Sequence, residues 1–440
     1  MSGQPAPAQG RFGTAVAQAA ARGELVVQPR MGMPDIASMR AGLRAVRQAN
    51  ATTVGTITLD SYTRVGDHDS ARKALAEGSD LNGFPIVAHG AAATREMIAS
   101  LAAPSFAIQV RHGSPLPLGI VQALVDAGLD ATEGGPVSYC LPYSRTPLRE
   151  SVDAWAKSCE LLAAHVPGAH LESFGGCMLG QMCPPSLLVA ISVLEGMFFR
   201  QHGLTSISLS YAQQTSFDQD VAAVAALRRL AGEYLGDVAW HVVLYTYMGV
   251  FPRTGGGALE LLRSSAVLAR VTDAERLIVK TAAEAFRIPT VADNVQALEE
   301  AALAARQAVP ALGREGGDGG PGADDGLYEE ARTLVEAVLE LDPDVGRALL
   351  GAFARGYLDV PFCLHADNAQ RTRAYVDDTG RLQWLAAGAM PVRAVAPAGA
   401  ARLSADGFLT MLGHVQHGFD APVLDAASRG RRSLGSPSNV

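Results

Sequence analysis

Short apolar runs rich in β-branched residues alternate with longer stretches of helical period through residues 24–310. The runs predict strands at 25–30, 53–60, 84–89, 106–111, 170–174, 206–212, 240–247 and 276–280, with a shorter one near 130–139. Between them the apolar spacing predicts helices at 34–49, 69–77, 92–102, 116–127, 147–165, 185–202, 218–235, 258–270 and 293–308. Local punctuation agrees. Pro185 stands where a first helical turn accepts proline, and Asp218 and Asp220 follow Ser216 where the helix dipole favours acid. Strand–helix alternation implies a parallel sheet built from βα units.

Eight or nine strands within one such region fit an α/β fold of the (β/α)8 TIM-barrel type over 24–310. The competing doubly wound sheet lacks its G-x-G-x-x-G turn after the first strand. Residues 1–23 read as a flexible extension leading into the barrel. The segment 311–326 reads as a flexible linker, because seven glycines between Gly313 and Gly326 leave little to bury. A long helix at 327–355 and short strands around 383–386 make 327–430 a C-terminal α+β region, and 431–440 reads as a disordered tail.

Composition narrows the function. A formal net charge of −8 disfavours nucleic acid, whose phosphates need basic surface. The five cysteines form no CxxC pair, which fits reduced thiols and argues against a disulfide framework or a structural zinc. The N-terminus has no apolar signal core, and no apolar run is long enough to span a bilayer, so a cytoplasmic protein is expected. HExxH, GxSxG, P-loop and zinc spacings are absent. Asp67-His68-Asp69 reads as a helix start rather than a metal site, and Arg253 to Gly257 could cradle phosphate or form an ordinary loop.

The chemistry concentrates where strands give out. Arg30, Arg64 and Arg111 each follow a strand-like run, and a barrel presents functional side chains at such ends. Three guanidiniums together repel unless an anion joins them, and their forked geometry suits a dicarboxylate. Glu133, followed by two glycines, adds a carboxylate that could pair with a ligand ammonium or accept a proton, which points to an amino dicarboxylic acid. Tyr139 and Tyr143 offer two phenols four residues apart. His112, beside Arg111, suits orienting a carboxylate better than acting as a base. Lys280 and Glu284 read as a helical pair.

These residues sit in longer stretches that resemble one family. The stretches include Gln28 to Gly32, Thr56 to Arg64, Leu81 to Pro85, Arg111 to Pro115, Glu133 to Gly135 and Ser138 to Tyr143. Phe174-Gly175, Pro184 to Ser186, Gln219-Asp220, Met248 to Pro252 and Ile278 to Glu284 continue the match. The chain resembles the large (epsilon, or E) subunit of glutamate mutase, or methylaspartate mutase. The resemblance implies an isomerase that interconverts L-glutamate and (2S,3S)-3-methylaspartate, with adenosylcobalamin (coenzyme B12) as cofactor, by radical fragmentation and recombination.

It implies a substrate pocket of Arg30, Arg64, Arg111, His112, Glu133, Tyr139 and Tyr143. Cofactor contacts would fall on Gly32, Asn82, Pro142, Phe251, Lys280, Glu284 and Ile288, with no protein ligand to cobalt from this chain. No Asp-x-His-x-x-Gly loop occurs, so the family expectation is a separate small cobalamin-binding (sigma) subunit and a heterotetramer containing a homodimer of this chain. The chain departs from the family pattern at Ser210 to Gln214, His170 to Gly175 and Phe362 to Asn368. Alternatives within the same reading are another amino dicarboxylate as substrate, or a barrel that binds an acidic amino acid without turnover. A lyase needing no cofactor and using Glu133 as base is the remaining rival.

Overall fold

The computed structural model describes residues 8–79, 81–101, 106–178, 182–308, 326–395 and 404–433. Eight parallel strands form one sheet: β1 (Val26–Gln28), β2 (Gly55–Thr58), β3 (Ile108–Arg111), β4 (Ala131–Gly134), β5 (His170–Ser173), β6 (Ser206–Ala212), β7 (Ala239–Tyr245) and β8 (Arg276–Ile278). Their order is β1-β8-β7-β6-β5-β4-β3-β2. Val27 bridges to Thr53, and its N–H donates to the Thr52 carbonyl at 2.9 Å, so the two edges meet and the sheet closes as a barrel. Helices between the strands surround it, as the alternation predicted.

The short strands are buried apart from Thr58, Ala239 and Trp240, yet many of their positions are polar. Gln28 donates to Thr56 at 2.9 Å and to Gln109 at 2.8 Å, and Arg276 pairs with Glu172 across the barrel. His170 meets Ser206 at 2.8 Å and Ser208 at 3.0 Å. Buried polar groups are tolerable only when they satisfy one another, and these do.

Four segments differ from expectation. Residues 84–89 are not a strand: only Phe84 pairs, as a single bridge to Leu59, and Ile86–His89 turns as a helix. Pro85 has no N–H for a ladder, and its carbonyl accepts from His89 N at 3.0 Å. The shorter segment near 130–139 supplies the fourth strand, only four residues long, before the chain turns.

The helix predicted at 327–355 is two, Leu327–Leu339 and Val345–Arg355. Pro343 interrupts it, and Asp344 caps the second helix by accepting from Arg347 N at 2.7 Å. Next comes an antiparallel pair, β9 (Arg373–Val376) and β10 (Leu382–Ala386), then a helix at Ala405–Ser433. That helix continues past the expected start of the tail at 431. The rest of the tail, and the linker expected at 311–326 apart from Gly326, lie outside the described residues.

The fourth difference is at the N-terminus. Within the expected flexible lead-in, Arg11–Ala21 is an amphipathic helix whose Phe12, Val16 and Ala19 are buried. They pack on Val26, Val54, Ala107 and Ala131, residues at or just before strand starts, so the helix plugs the amino end of the barrel. The Phe12 ring lies 5.0 Å from the His170 ring and 5.0 Å from the Arg276 guanidinium. Among the described residues no helix is long and apolar enough to cross a membrane.

One helix fixes the loop that follows β4. Pro185–Gln201 is buried almost all round, and its Glu195 points its carboxylate at that loop. Glu195 accepts from Val137 N at 3.1 Å, Ser138 N at 2.9 Å, Ser138 Oγ at 3.0 Å and Ser173 Oγ at 2.8 Å. A Cβ at Gly135 would lie 2.1 Å from that carboxyl group, so only glycine allows the approach.

Two expected outcomes follow from this packing. Phe12→Ala should lower unfolding free energy by about 3–5 kcal/mol, the usual cost of deleting a buried phenylalanine, read as an earlier denaturant midpoint. A near-native midpoint would mean that the helix does not brace the barrel. Burial pushes the Glu195 carboxyl up to about 7 from 4.5, so its contribution to stability is fully present below pH 4.5 and is lost as pH rises through 7. In Glu195→Gln the amide oxygen keeps both backbone donors while the hydroxyls can turn to accept. Thermal midpoints of this variant should therefore fall less between pH 5 and 7 than those of the parent, and an unchanged slope would assign the titration elsewhere.

Candidate active site at the carboxyl end of the barrel

A cavity of about 1290 Å³ opens at the carboxyl end of the strands. It brings together all seven residues assigned to the substrate pocket: Arg30, Arg64, Arg111, His112, Glu133, Tyr139 and Tyr143. Arg30 lies two residues past β1, Arg111 ends β3 and Glu133 is the third residue of β4. Arg64 is placed differently from expectation. It ends a one-turn helix, Ser61–Arg64, started by Asp60 accepting from Tyr62 N and Thr63 N. Its Nε donates to the Leu59 carbonyl at 3.0 Å, which returns the side chain to the strand end.

The three guanidiniums share one electrostatic neighbourhood. Burial lowers the pKa of Arg64, and the charges of Arg111 and Arg30 push the same way, with Tyr139 and Asp60 opposing. Arg30 pairs with Glu284 at 3.1 Å, while its buried Nε has no hydrogen-bond partner among the described residues. Arg111 is almost fully buried and pairs with Glu133 at 2.7 Å. That charge keeps it protonated despite desolvation.

Glu133 is held on both oxygens. Tyr139 donates to Oε1, while Arg111 at 2.7 Å and Tyr245 at 2.8 Å donate to Oε2. Burial alone would raise its pKa, but the Arg111 charge and these three hydrogen bonds bring it below the usual carboxylate value. It is therefore a charged anchor and a poor general base.

His112 is neutral, because burial pushes its pKa down to about 3, helped by Arg64 and Arg111 and opposed by Glu133. Its Nδ1 accepts from Ser114 N at 3.0 Å, which assigns the proton to Nε2. That buried Nε2 has no hydrogen-bond partner among the described residues, although the nearby Glu133 backbone carbonyl draws on the ring, so it can donate to an anion. The ring stacks on Trp155 with centroids 5.7 Å apart.

The residues assigned to cofactor contact divide. Asn82, Glu284 and Ile288 line the cavity, whereas Gly32, Pro142, Phe251 and Lys280 do not. Gly32 serves a close approach of backbone, since a Cβ there would lie 2.1 Å from the Thr58 carbonyl oxygen. Lys280 and Glu284 do not form a helical pair: the turn Ala282–Ala285 starts after Lys280. Glu284 accepts from Thr281 N at 3.0 Å and from Arg30, while the Lys280 ammonium lies 4.4 Å from the Phe251 ring centroid. Burial brings Lys280 down to about 8, with Arg30 adding and Glu284 opposing.

Other candidates resolve structurally. Asp67 caps the helix His68–Ala76 by accepting from Ser70 N at 3.1 Å, and no cluster of metal-binding side chains occurs among the described residues. The backbone at Arg253 and Thr254 does cradle an anion, but it is the carboxylate of Asp420, reached at 2.9 Å from both N–H groups.

Sequence reasoning missed Tyr245, Glu172 and Thr58. Tyr245 ends β7 and bridges Glu133 to Glu172, and Thr58 lines the cavity with a buried hydroxyl that has no partner among the described residues. A polar residue at a strand end was the available signal for Tyr245 and Thr58. Nothing in the sequence shows which carboxylate a buried phenol will reach.

The methylaspartate mutase E chain family matches residues 6–403. The glutamate mutase epsilon subunit of Escherichia coli O157:H7 is 32% identical over 407 residues, covering 88% of this chain and 82% of the relative. That of Haloarcula marismortui is 33% identical over 371 residues, covering 81% and 74%. That of Halobacterium salinarum is 32% identical over 397 residues, covering 87% and 81%. With the family matched across nearly the whole barrel and its appendage, the chain belongs to the methylaspartate mutase E chain family.

Proposed function

We propose that this chain is the catalytic subunit of an adenosylcobalamin-dependent mutase that interconverts L-glutamate and (2S,3S)-3-methylaspartate. The observation that carries the reading is the charge balance of the cavity. Arg30, Arg64 and Arg111 face two carboxylates (Glu133, Glu284), and the wall also carries Arg145 and Arg287, the latter paired with Asp293, so with His112 neutral the lining is net positive. An amino dicarboxylate carries two carboxylates and one ammonium, a net single negative charge. It offsets part of that positive excess while giving the arginine forks acceptors and Glu133 a cation.

The cavity is larger than such a substrate needs and exceeds the roughly 300–1,000 Å³ of ordinary small-molecule sites. Its wall includes the exposed apolar side chains of Val65, Leu116 and Ile288. That room and surface fit a large, partly apolar cofactor, held by Asn82, Glu284 and Ile288 with Phe251 and Lys280 behind them. When bound, adenosylcobalamin would supply homolytic hydrogen abstraction from an unactivated carbon.

The chain's own residues then do three things. The arginines hold both carboxylates, so the carbon skeleton can rearrange while its ends stay fixed. Glu133, charged and braced, holds the ammonium. His112 donates Nε2–H to a carboxylate without competing for a proton. Because the sequence has no Asp-x-His-x-x-Gly loop, a separate small subunit would bind the other face of the corrin. The ionised, hydrogen-bonded state of Glu133 disfavours the lyase alternative.

The test mixes the purified chain with a small cobalamin-binding subunit, adenosylcobalamin and L-glutamate, and follows 3-methylaspartate by NMR. Product that depends on all four components is expected. Absence of product from a demonstrated complex, or product without the cofactor, would sink the reading. Arg64→Lys should lower kcat/KM roughly tenfold to a hundredfold, because a point ammonium cannot reproduce the fork. Near-parental turnover in that variant would remove Arg64 from substrate binding.

A further inference from the structure

Glu133 and Glu172 are register partners on adjacent parallel strands, so their carboxylates project side by side into the barrel. Each has its own guanidinium: Arg111 for Glu133 and Arg276 for Glu172. Between them stands the hydroxyl of Tyr245, fully buried at the end of β7 and bonded to Glu133 Oε2 at 2.8 Å and to Glu172 Oε1. The other Glu172 oxygen accepts from Gln109 at 3.0 Å and Arg276. Tyr245 itself lies behind the cavity wall, and the Arg111 guanidinium packs 5.4 Å from its ring centroid.

We infer that Tyr245 is a positioning residue that sets selectivity for an ammonium-bearing dicarboxylate, by locking the Glu133 carboxylate between Arg111 and the buried Glu172–Arg276 pair. The phenol has a single proton, which it gives to one carboxylate at a time, and that shared donor keeps the two from facing each other bare. Without it, Glu133 Oε2 and Glu172 Oε1 face each other with no donor between them, and Glu133, left with Arg111 and Tyr139, rotates away or takes up a proton. Either change removes the fixed negative edge that a substrate ammonium meets. The arginine contacts to the two substrate carboxylates do not pass through Tyr245, so a dicarboxylate without an amino group is indifferent to it.

This inference rests on the proposed glutamate reading, and the experiment separates the two. In the assembled enzyme, KM for L-glutamate is measured beside the inhibition constant of glutarate, its analogue without the amino group. Tyr245→Phe should raise KM for glutamate about tenfold or more, the usual effect of losing a hydrogen bond to a charged group, while glutarate inhibition stays within about twofold of parental. Replacement of Tyr245 by p-aminophenylalanine, whose two N–H bonds can serve both carboxylates, should restore the parental KM.

Equal loss of glutamate and glutarate binding, or no change in either, overturns the positioning role. If the phenylalanine variant does not fold, the aniline variant decides. Parental selectivity there supports the role, and lost selectivity in a folded protein overturns it. Failure of glutarate to compete in the parental enzyme would instead count against the dicarboxylate reading itself.

Discussion

Two glutamates at the same register of neighbouring strands set the problem that the barrel interior solves. Glu133 and Glu172 both point inward, and a bare pair of carboxylates at that spacing is costly in a dry environment. The solution extends in both directions along the barrel axis. Toward the carboxyl end, Arg111 and Tyr139 take Glu133; toward the amino end, Arg276, Gln109 and Ser208 take Glu172. Arg276 in turn needs Gln28 as an acceptor and lies over the Phe12 ring of the N-terminal helix. The plug at one end of the barrel and the cavity-facing carboxylate at the other are therefore members of one satisfied network.

That network explains why the interior is polar where aliphatic layers would fill a barrel more simply. A charged anchor at the site floor must be held rigidly, and rigidity in a buried polar cluster comes from satisfying every donor and acceptor. Glu195 repeats the device one layer out. Its carboxylate gathers four donors from the loop that carries Tyr139, and Gly135 leaves room for it. The geometry of the Tyr139–Glu133–Arg111 cluster is thus fixed by groups that never touch the cavity.

The legible part of this protein was the part written in periodicity. Alternating runs gave the barrel, and strand ends gave Arg30, Arg111, His112 and Glu133. Arg64 was legible as a participant but not in its placement, because a single helical turn leaves no periodic trace. Residues 84–89 looked like a strand because their apolar content outweighed one proline, and a missing N–H is a local fact that averages hide. The N-terminal helix was overlooked because its flank is rich in small residues, although Phe12, Val16 and Ala19 share a face. Tyr245, Glu172 and Glu195 were illegible for a different reason. Inside apolar elements a polar residue announces burial with a partner, but the partner is chosen by the closed barrel and not by neighbours in sequence.

The glycine-rich turn at Arg253 to Gly257 shows the same limit from the other side. The sequence offered free backbone N–H groups at a helix start, which is sound physics for an anion site. The anion is internal: Asp420, on the C-terminal helix, takes Arg253 N, Thr254 N and Thr254 Oγ. Val415 and Phe419 of that helix pack with Tyr247, Phe251 and Ala258 beside it. Since Phe251 stacks against the Lys280 ammonium, the C-terminal helix steadies the rim next to the cavity through one carboxylate and an apolar seam. The first and last described helices thus brace the barrel, Arg11–Ala21 under the buried arginine and Ala405–Ser433 beside the mouth, with the paired carboxylates between them.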